Sequence, residues 1–391
     1  MDEHVVVTYQ REAPVFVRGA GARLFDADGR SWLDLLSGIG VNALGHAHPR
    51  LVAALREQVG ALTHVSNLFR HPHTEAVAAR LARLTGLESV FFSNSGSEAN
   101  ECALKLARKA QALRGAPERT AFVALEGGFH GRTFGALSVT ANPAYREPFG
   151  PGLAATFVAP HDAAALEAAL AQRPAALVLE PLQGEGGLNL LDADYLRAAR
   201  ALCDATGTLL VHDEIQCGCG RTGTFLCGQQ AGVTPDVVTL AKPLGAGLPI
   251  GATVVSAALA ATLQPGDHGS TFGGGPLALR AALCFLEELE ERGLQAEVQA
   301  RGAQLAAGLD GLVREHAAAT ARRGLGLMQG LVVPGAATAL RAKLFERGLI
   351  TGTATGDVLR LLPPFVLTER DVDEALAILH ETIQEVEPCK P

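Results

Sequence analysis

Val237-Val238-Thr239-Leu240-Ala241-Lys242, running on into Pro243-Leu244-Gly245-Ala246-Gly247, is the stretch on which the fold turns. Five apolar or β-branched residues in a row suit a strand covered on both faces, as in a parallel sheet. The strand ends on an amine and opens into a glycine-rich loop. Such sheets place ligands beyond the carboxyl ends of their strands, so the lysine stands at a ligand-binding edge. One strand earlier, residues 208–212 end in Asp213-Glu214, 29 positions before Lys242 and about one crossover unit away. Other strands read at 89–93, 121–125, 156–159, 176–179 and 253–256. Amphipathic helices run between them, clearest at 98–113, where Ala99, Ala103, Leu106, Ala110 and Leu113 share a face, and at 193–206, closed by Gly207. This alternation predicts an α/β fold with a mostly parallel central sheet wrapped by helices.

Beyond Pro276 the character changes. A helix reads at 277–291 and a second follows it. Then come a strand at 325–333, a helix at 337–347 and a strand at 358–362. A last helix opens at Thr368, with Asp371 three residues on, a variant of the capping box. The chain's first segment carries short strands at 15–17 and 23–26. A large domain is therefore expected over 51–279, with a smaller α+β domain built from 1–50 and 280–391.

Length and composition bound the function. At roughly 150 residues per domain, 391 residues suggest two to three domains, or one with an appendage. With 48% hydrophobic and 19% charged residues the chain is not disordered. A net charge of −8 argues against nucleic acid and against an anionic membrane surface, though a small anionic ligand needs only one local pocket. Met1-Asp2-Glu3-His4 is acidic where a secretory signal is basic. The uncharged run 243–263 is broken by Pro243, Pro249 and several glycines, so it is not expected to span a membrane. Seven scattered cysteines fit reduced thiols and a cytoplasmic setting. Cys217, Cys219 and Cys227 lack a second ligand pair at zinc spacing, and no metal is expected there.

The chain has only five lysines. Lys105 and Lys109 share the polar face of a helix, and Lys343 and Lys390 read as solvated. Lys242 differs by its strand-end position. A Schiff base needs an amine that can lose its proton, which arginine cannot offer; a salt bridge at the core edge is the plainer alternative. Ser93-Asn94-Ser95-Gly96-Ser97-Glu98 joins a strand to a helix start, where free N–H groups and the Ser95 and Ser97 hydroxyls suit an anion, or simply cap the helix. It is neither a Walker loop nor a dinucleotide fingerprint. Asp213 is placed to hold a proton on a heterocyclic nitrogen, or to cap a turn. In Phe129-His130-Gly131-Arg132-Thr133 the phenyl ring suits stacking and the guanidinium suits a carboxylate. Gly269-Ser270-Thr271-Phe272-Gly273-Gly274 is a second loop suited to phosphate.

These stretches occur together and in order with Gly40-Val41-Asn42-Ala43-Leu44-Gly45-His46, Ser66-Asn67-Leu68-Phe69, Glu180-Pro181-Leu182-Gln183-Gly184-Glu185-Gly186-Gly187, Asp213-Glu214-Ile215-Gln216, Gly220-Arg221-Thr222-Gly223 and Arg360-Leu361-Leu362-Pro363-Pro364. In this the chain resembles the class III (subgroup II) pyridoxal-phosphate aminotransferases over nearly its whole length, and most the acetylornithine branch. The resemblance implies fold type I, pyridoxal 5'-phosphate as cofactor, and a homodimer with a shared active site. It makes Lys242 the Schiff-base lysine and proton shuttle, and pairs Asp213 with the pyridinium. Phe129 would stack on the ring and Gln216 reach its hydroxyl, with Glu214 and Ile215 counted among the cofactor contacts. Ser95, Gly96 and Ser97 would hold the phosphate, joined by Thr271 of the neighbouring subunit. Arg132 would take a substrate carboxylate, with Ser270 beside the substrate. Arg360 would take the α-carboxylate of glutamate, and Glu185 would mask Arg360 when a terminal amine reacts.

The implied reaction moves the terminal amino group of N2-acetylornithine to 2-oxoglutarate, as in arginine biosynthesis. Ornithine, 4-aminobutyrate, succinyl-diaminopimelate or a carrier-linked lysine precursor are the alternative donors, and a silent cofactor-binding protein is the remote one. Pro243, Ala246, Gly275, His212 and Arg70-His71-Pro72-His73 depart from the family pattern and bear on donor preference.

Overall fold

The computed structural model describes residues 4–386, so Lys390 lies outside it. Three short strands come first, β1 (Phe16–Ala20), β2 (Arg23–Asp26) and β3 (Ser31–Asp34). Seven more are β4 (Ser89–Ser93), β5 (Phe122–Leu125), β6 (Ala155–Val158), β7 (Ala176–Leu179), β8 (Leu209–Asp213), β9 (Val237–Leu240) and β10 (Gly251–Val255). They form one sheet in the order β4-β10-β9-β8-β7-β5-β6. β10 runs antiparallel to both its neighbours, while the pairs from β9 through β8, β7 and β5 to β6 are parallel. Six strands thus share a direction and β10 alone is reversed.

The apolar strand runs have a direct cause. On β5, Phe122 and Ala124 face a cluster with Ala103, Leu106 and Ala107 of the helix Gly96–Leu113. Val123 and Leu125 face the opposite cluster, with Leu196 and Ala199 of the helix Ala193–Thr206. With both faces covered, neither can be polar.

The later strands are β11 (Ala321–Leu325), β12 (Met328–Val332), β13 (Leu349–Ile350), β14 (Gly352–Ala354) and β15 (Val358–Leu361). They give a second sheet, β11-β12-β15-β14, while β13 joins the first three strands as β1-β2-β3-β13. Ala22, Leu33 and Leu35 share one hydrophobic cluster with Leu305, Leu340, Leu359 and Leu379, so both ends of the chain pack together. The single strand expected over 325–333 is instead the hairpin β11–β12. Gly326, at φ 57°, turns the chain there, and a Cβ on it would sit 2.7 Å from the Arg221 carbonyl oxygen. The expected domain limit at 279/280 falls inside the helix Pro276–Glu291, whose Leu279, Phe285 and Leu289 pack with Phe92, Leu244 and Ile250.

The resulting α/β architecture of helix-wrapped mixed sheets fits the large-and-small-domain plan of fold type I. Arg221 locks it internally. It is fully buried among backbone carbonyls, donating to Leu327 at 3.2 Å, to Gly40 at 3.4 Å and to Pro363, over the ring of Phe365. Burial lowers its pKa to about 9. Among the described residues no helix is long and apolar enough to cross a membrane.

Candidate active site

A cavity of about 350 Å³ opens at the carboxyl ends of β4, β8 and β9. Period two along β8 decides which side chains reach it. Leu209, Val211 and Asp213 point toward the helix Gly96–Leu113; Leu210 and His212 point away. Asp213 is 2% exposed. Its Oδ2 accepts from Asn100 Nδ2 and His130 Nδ1, both at 2.8 Å, and its Oδ1 from the Ile215 amide at 3.1 Å. Burial pulls the His130 pKa down, but the hydrogen bond and charge of Asp213 outweigh it and the net shift is upward.

Lys242 follows β9 at φ 29° and opens a short 3₁₀ turn. Its amine makes no hydrogen bond to another described residue and lines the cavity. Burial first, and then the charge of Arg360, push its pKa below the ordinary lysine value.

The phosphate-type cradle is built at the start of the Gly96–Leu113 helix. Ser95 caps it, its Oγ accepting from the Glu98 amide at 3.3 Å, while Glu98 Oε2 receives the Asn94 amide at 2.7 Å. Ser95, Gly96 and Ser97 line the cavity. A Cβ at 96 would lie 2.7 Å from Ile215 Cδ1, so any larger residue has to push the Ile215 side chain aside. Phe129, Ile215 and Gln216 complete the wall. Arg132 is exposed, with its guanidinium 3.5 Å from the Tyr145 ring centroid and its amide on Ser97 Oγ at 3.3 Å. Ser270 Oγ accepts from Asn94 Nδ2 at 3.1 Å.

Arg360, on β15, is 4% exposed and its Nη1 contacts Glu185 Oε1 directly, with Gln216 Oε1 at 3.4 Å. Glu185 comes from the loop after β7, so the pair joins a loop of the seven-stranded sheet to the β11-β12-β15-β14 sheet. The glycines beside it sit where the loop packs closely against its neighbours. A Cβ on Gly184 would overlap the Gln216 side chain, and one on Gly186 would lie 2.6 Å from the Gly127 oxygen. Gly184 thus makes room for the Gln216 side chain and Gly186 for the Gly127 backbone.

One expected cofactor contact lies elsewhere. The Glu214 carboxylate turns from the cavity to accept from the amides of Cys227 and Gly228, each at 2.8 Å, and from Cys217 Sγ at 3.3 Å. It fastens a loop to the end of β8, which is a different task from touching a cofactor. Thr271, expected to serve the neighbouring subunit, is exposed and outside the cavity wall of its own chain. Conversely, His130, Asn100 and Glu180 had no assigned role. Glu180, at the end of β7, accepts from the Phe129 amide at 2.9 Å and the Gly184 amide at 3.0 Å, and burial pushes its pKa up to about 7. The strand-end rule that singled out Asp213 applies equally to Glu180. Asn100 sits one turn after Gly96 on the same helix face.

An amine with no hydrogen-bond partner among the described residues, a helix start with free N–H groups and a carboxylate held by three donors suit a phosphorylated pyridine aldehyde. The donors present fit pyridoxal 5'-phosphate: Lys242 for its carbonyl carbon, Asp213 for its ring nitrogen, and Ser95 to Ser97 for its phosphate.

Comparison with known proteins agrees. The family model "Aminotransferase class-III" matches residues 7–383. An acetylornithine aminotransferase of Methanosarcina mazei is 42% identical over 381 residues, covering 97% of this chain and 94% of the relative. The crystal structure of an N-acetylornithine aminotransferase from Stenotrophomonas maltophilia superposes with a TM-score of 0.85 at 38% identity, covering 96% of this chain and 97% of that one. An ornithine aminotransferase from Toxoplasma gondii superposes with a TM-score of 0.93 at 34% identity, covering 98% and 93%. Sequence, fold and cavity chemistry therefore converge, and the chain belongs to the class III aminotransferases, enzymes that work with pyridoxal 5'-phosphate.

Proposed function

We propose that this transaminase takes the terminal amino group of N2-acetylornithine and passes it to 2-oxoglutarate, giving N-acetylglutamate 5-semialdehyde and glutamate. The observation that carries this reading is the buried Arg360 covered by Glu185. The two amino donors of such a reaction differ in one respect. Glutamate bears a carboxylate on the reacting carbon, and acetylornithine does not. A guanidinium that is covered in one half-reaction and open in the other serves both. The names of several relatives support the same donor.

Bound pyridoxal 5'-phosphate supplies an electrophilic carbon and a ring that takes up the electron pair released when a proton leaves the donor carbon. Lys242 Nζ moves that proton. Its burial favours the neutral, basic amine that the task requires. Asp213 holds a proton at the ring nitrogen, and Asn100 and His130 fix the carboxylate in place. Ser95, Gly96 and Ser97 anchor the phosphate at the helix start, while Phe129 covers a ring face. With acetylornithine bound, Glu185 neutralises Arg360, so the α-end of a diamino acid gains nothing by entering reversed. With glutamate, Glu185 moves aside and Arg360 grips the α-carboxylate. A homodimer belongs to the same reading, with Thr271 serving the neighbouring subunit's phosphate site. The exposure of Leu68, Phe69 and Phe272 near that segment supports it.

Single-turnover cofactor absorbance with acetylornithine, ornithine, 4-aminobutyrate and glutamate tests the donor. Acetylornithine and glutamate should bleach the band fastest. Ornithine reacting about tenfold faster than acetylornithine would replace the reading by an ornithine aminotransferase.

A further inference from the structure

Far from the cavity, the helix Leu294–Glu315 ends beside the last helix, Glu369–Ile383. Three metal-ligating side chains meet there. His316 Nε2 lies 3.1 Å from His380 Nδ1, and His380 Nδ1 lies 3.5 Å from Glu315 Oε2. All three ligand atoms fall within 4.8 Å of one another. A tetrahedral ion with bonds of about 2.0–2.1 Å keeps its ligand atoms roughly 3.3–3.4 Å apart. The two edges at His380 Nδ1, 3.1 and 3.5 Å, bracket that value.

We propose that Glu315, His316 and His380 form a surface site for a zinc-class divalent cation. Two imidazoles and one carboxylate select zinc or its transition-metal neighbours over calcium and magnesium, which prefer all-oxygen sets. Three protein ligands leave the fourth position to water. The framework is rigid where it matters: Leu305, Leu309 and Leu312 of one helix share a buried cluster with Val372, Ala375 and Leu379 of the other. The outer shell is also present. An ion on Nδ1 of His380 leaves a proton on Nε2, and the side-chain amide of Gln384 lies 3.4 Å from that nitrogen. Turned to present its oxygen, that amide accepts the proton and fixes the ring. Without an ion the two rings, 72° apart, satisfy each other by one shared hydrogen, which a cation displaces. Bound metal ties the end of one helix to the side of the other.

The test is calorimetric titration of zinc chloride into chelator-treated, dialysed holoenzyme near neutral pH. The cofactor phosphate and the cysteines can also take zinc, so the reading is the difference between wild type and variants. The wild type should bind about one ion per chain that the His316→Ala/His380→Ala double variant does not, and His380→Ala alone should weaken that ion at least about tenfold. Circular dichroism and transaminase activity should be unchanged in both variants, since the site lies outside the catalytic machinery. Equal zinc uptake by wild type and double variant, or no uptake by wild type, overturns the proposal.

Discussion

Lys242 sits at a positive φ with its amine free toward Arg360, Glu185, Glu180 and Asp213, so a missing side chain there has no neighbour to replace it. Lys242→Ala should lose at least about a hundredfold in turnover while the protein stays folded. Borohydride reduction of wild-type holoenzyme followed by peptide mass mapping checks the attachment point, and labelling at Lys105 or Lys343 would refute it. Asp213→Asn should retain cofactor but slow the proton-transfer step by about 10²–10³, because an amide cannot hold the ring-nitrogen proton. Near-wild-type single-turnover rates would remove Asp213 from that role. At this scale the sequence showed the residues that are unusual in kind, a rare lysine and a strand-end carboxylate. It hid the residues that act through a neighbour. His130 and Asn100 matter because of where a helix and a loop meet around Asp213, and no spacing rule encodes that meeting. Glu214 misled for the converse reason, since adjacency to Asp213 along a strand means opposite faces in space.

Glu214 belongs to the scale of elements, where it ties the Cys227–Ala231 turn to β8. Burial raises its pKa from 4.5 to about 7. The folded state therefore holds this proton more tightly than the unfolded one, so its contribution is complete below pH 4.5 and is lost as pH rises through about 7. His212, on the other face of the same strand, works oppositely. Burial lowers it from 6.5 to about 3, so its contribution is complete above 6.5 and lost on acidification toward 3. Glu214→Gln separates the two. The variant should be less stable than wild type by about 1–3 kcal/mol near pH 5, with the gap in melting temperature narrowing by pH 8. A gap independent of pH would mean that Glu214 stays ionised throughout. Strands of the central sheet were legible to within a residue or two because burial on both faces writes itself as an unbroken apolar run. β3, β13 and β14 were not. They are two to four residues long, too short to write a pattern; β3 and β13 pair across distant segments, as Leu33 and Leu349 do, and β14 is a short turn back onto β15. The β11–β12 turn was missed because apolar residues flank Gly326 on both sides.

The whole molecule brings Arg360 of β15 against Glu185 of the loop after β7, and the donor exchange is expected to depend on that contact. Glu185→Ala should speed the glutamate half-reaction and slow the acetylornithine one, each by about tenfold. Arg360→Ala should cost the glutamate and 2-oxoglutarate steps about 10–100-fold and spare acetylornithine. Cofactor absorbance reads each half-reaction separately, and equal losses for Glu185→Ala in both would make it a structural residue only. The same long-range assembly sets an order of events during synthesis. Every strand of the central sheet, through Val255, leaves the ribosome before Leu349 has been made. The β3 edge at Leu33 and Asp34 waits 316 positions for its partner. Until then Leu33 and Leu35 have no cover from the chain's other end, and an open edge with apolar neighbours invites pairing with other chains. A nascent chain stalled short of β13 would hold most of its catalytic cavity and still be the form most in need of a chaperone.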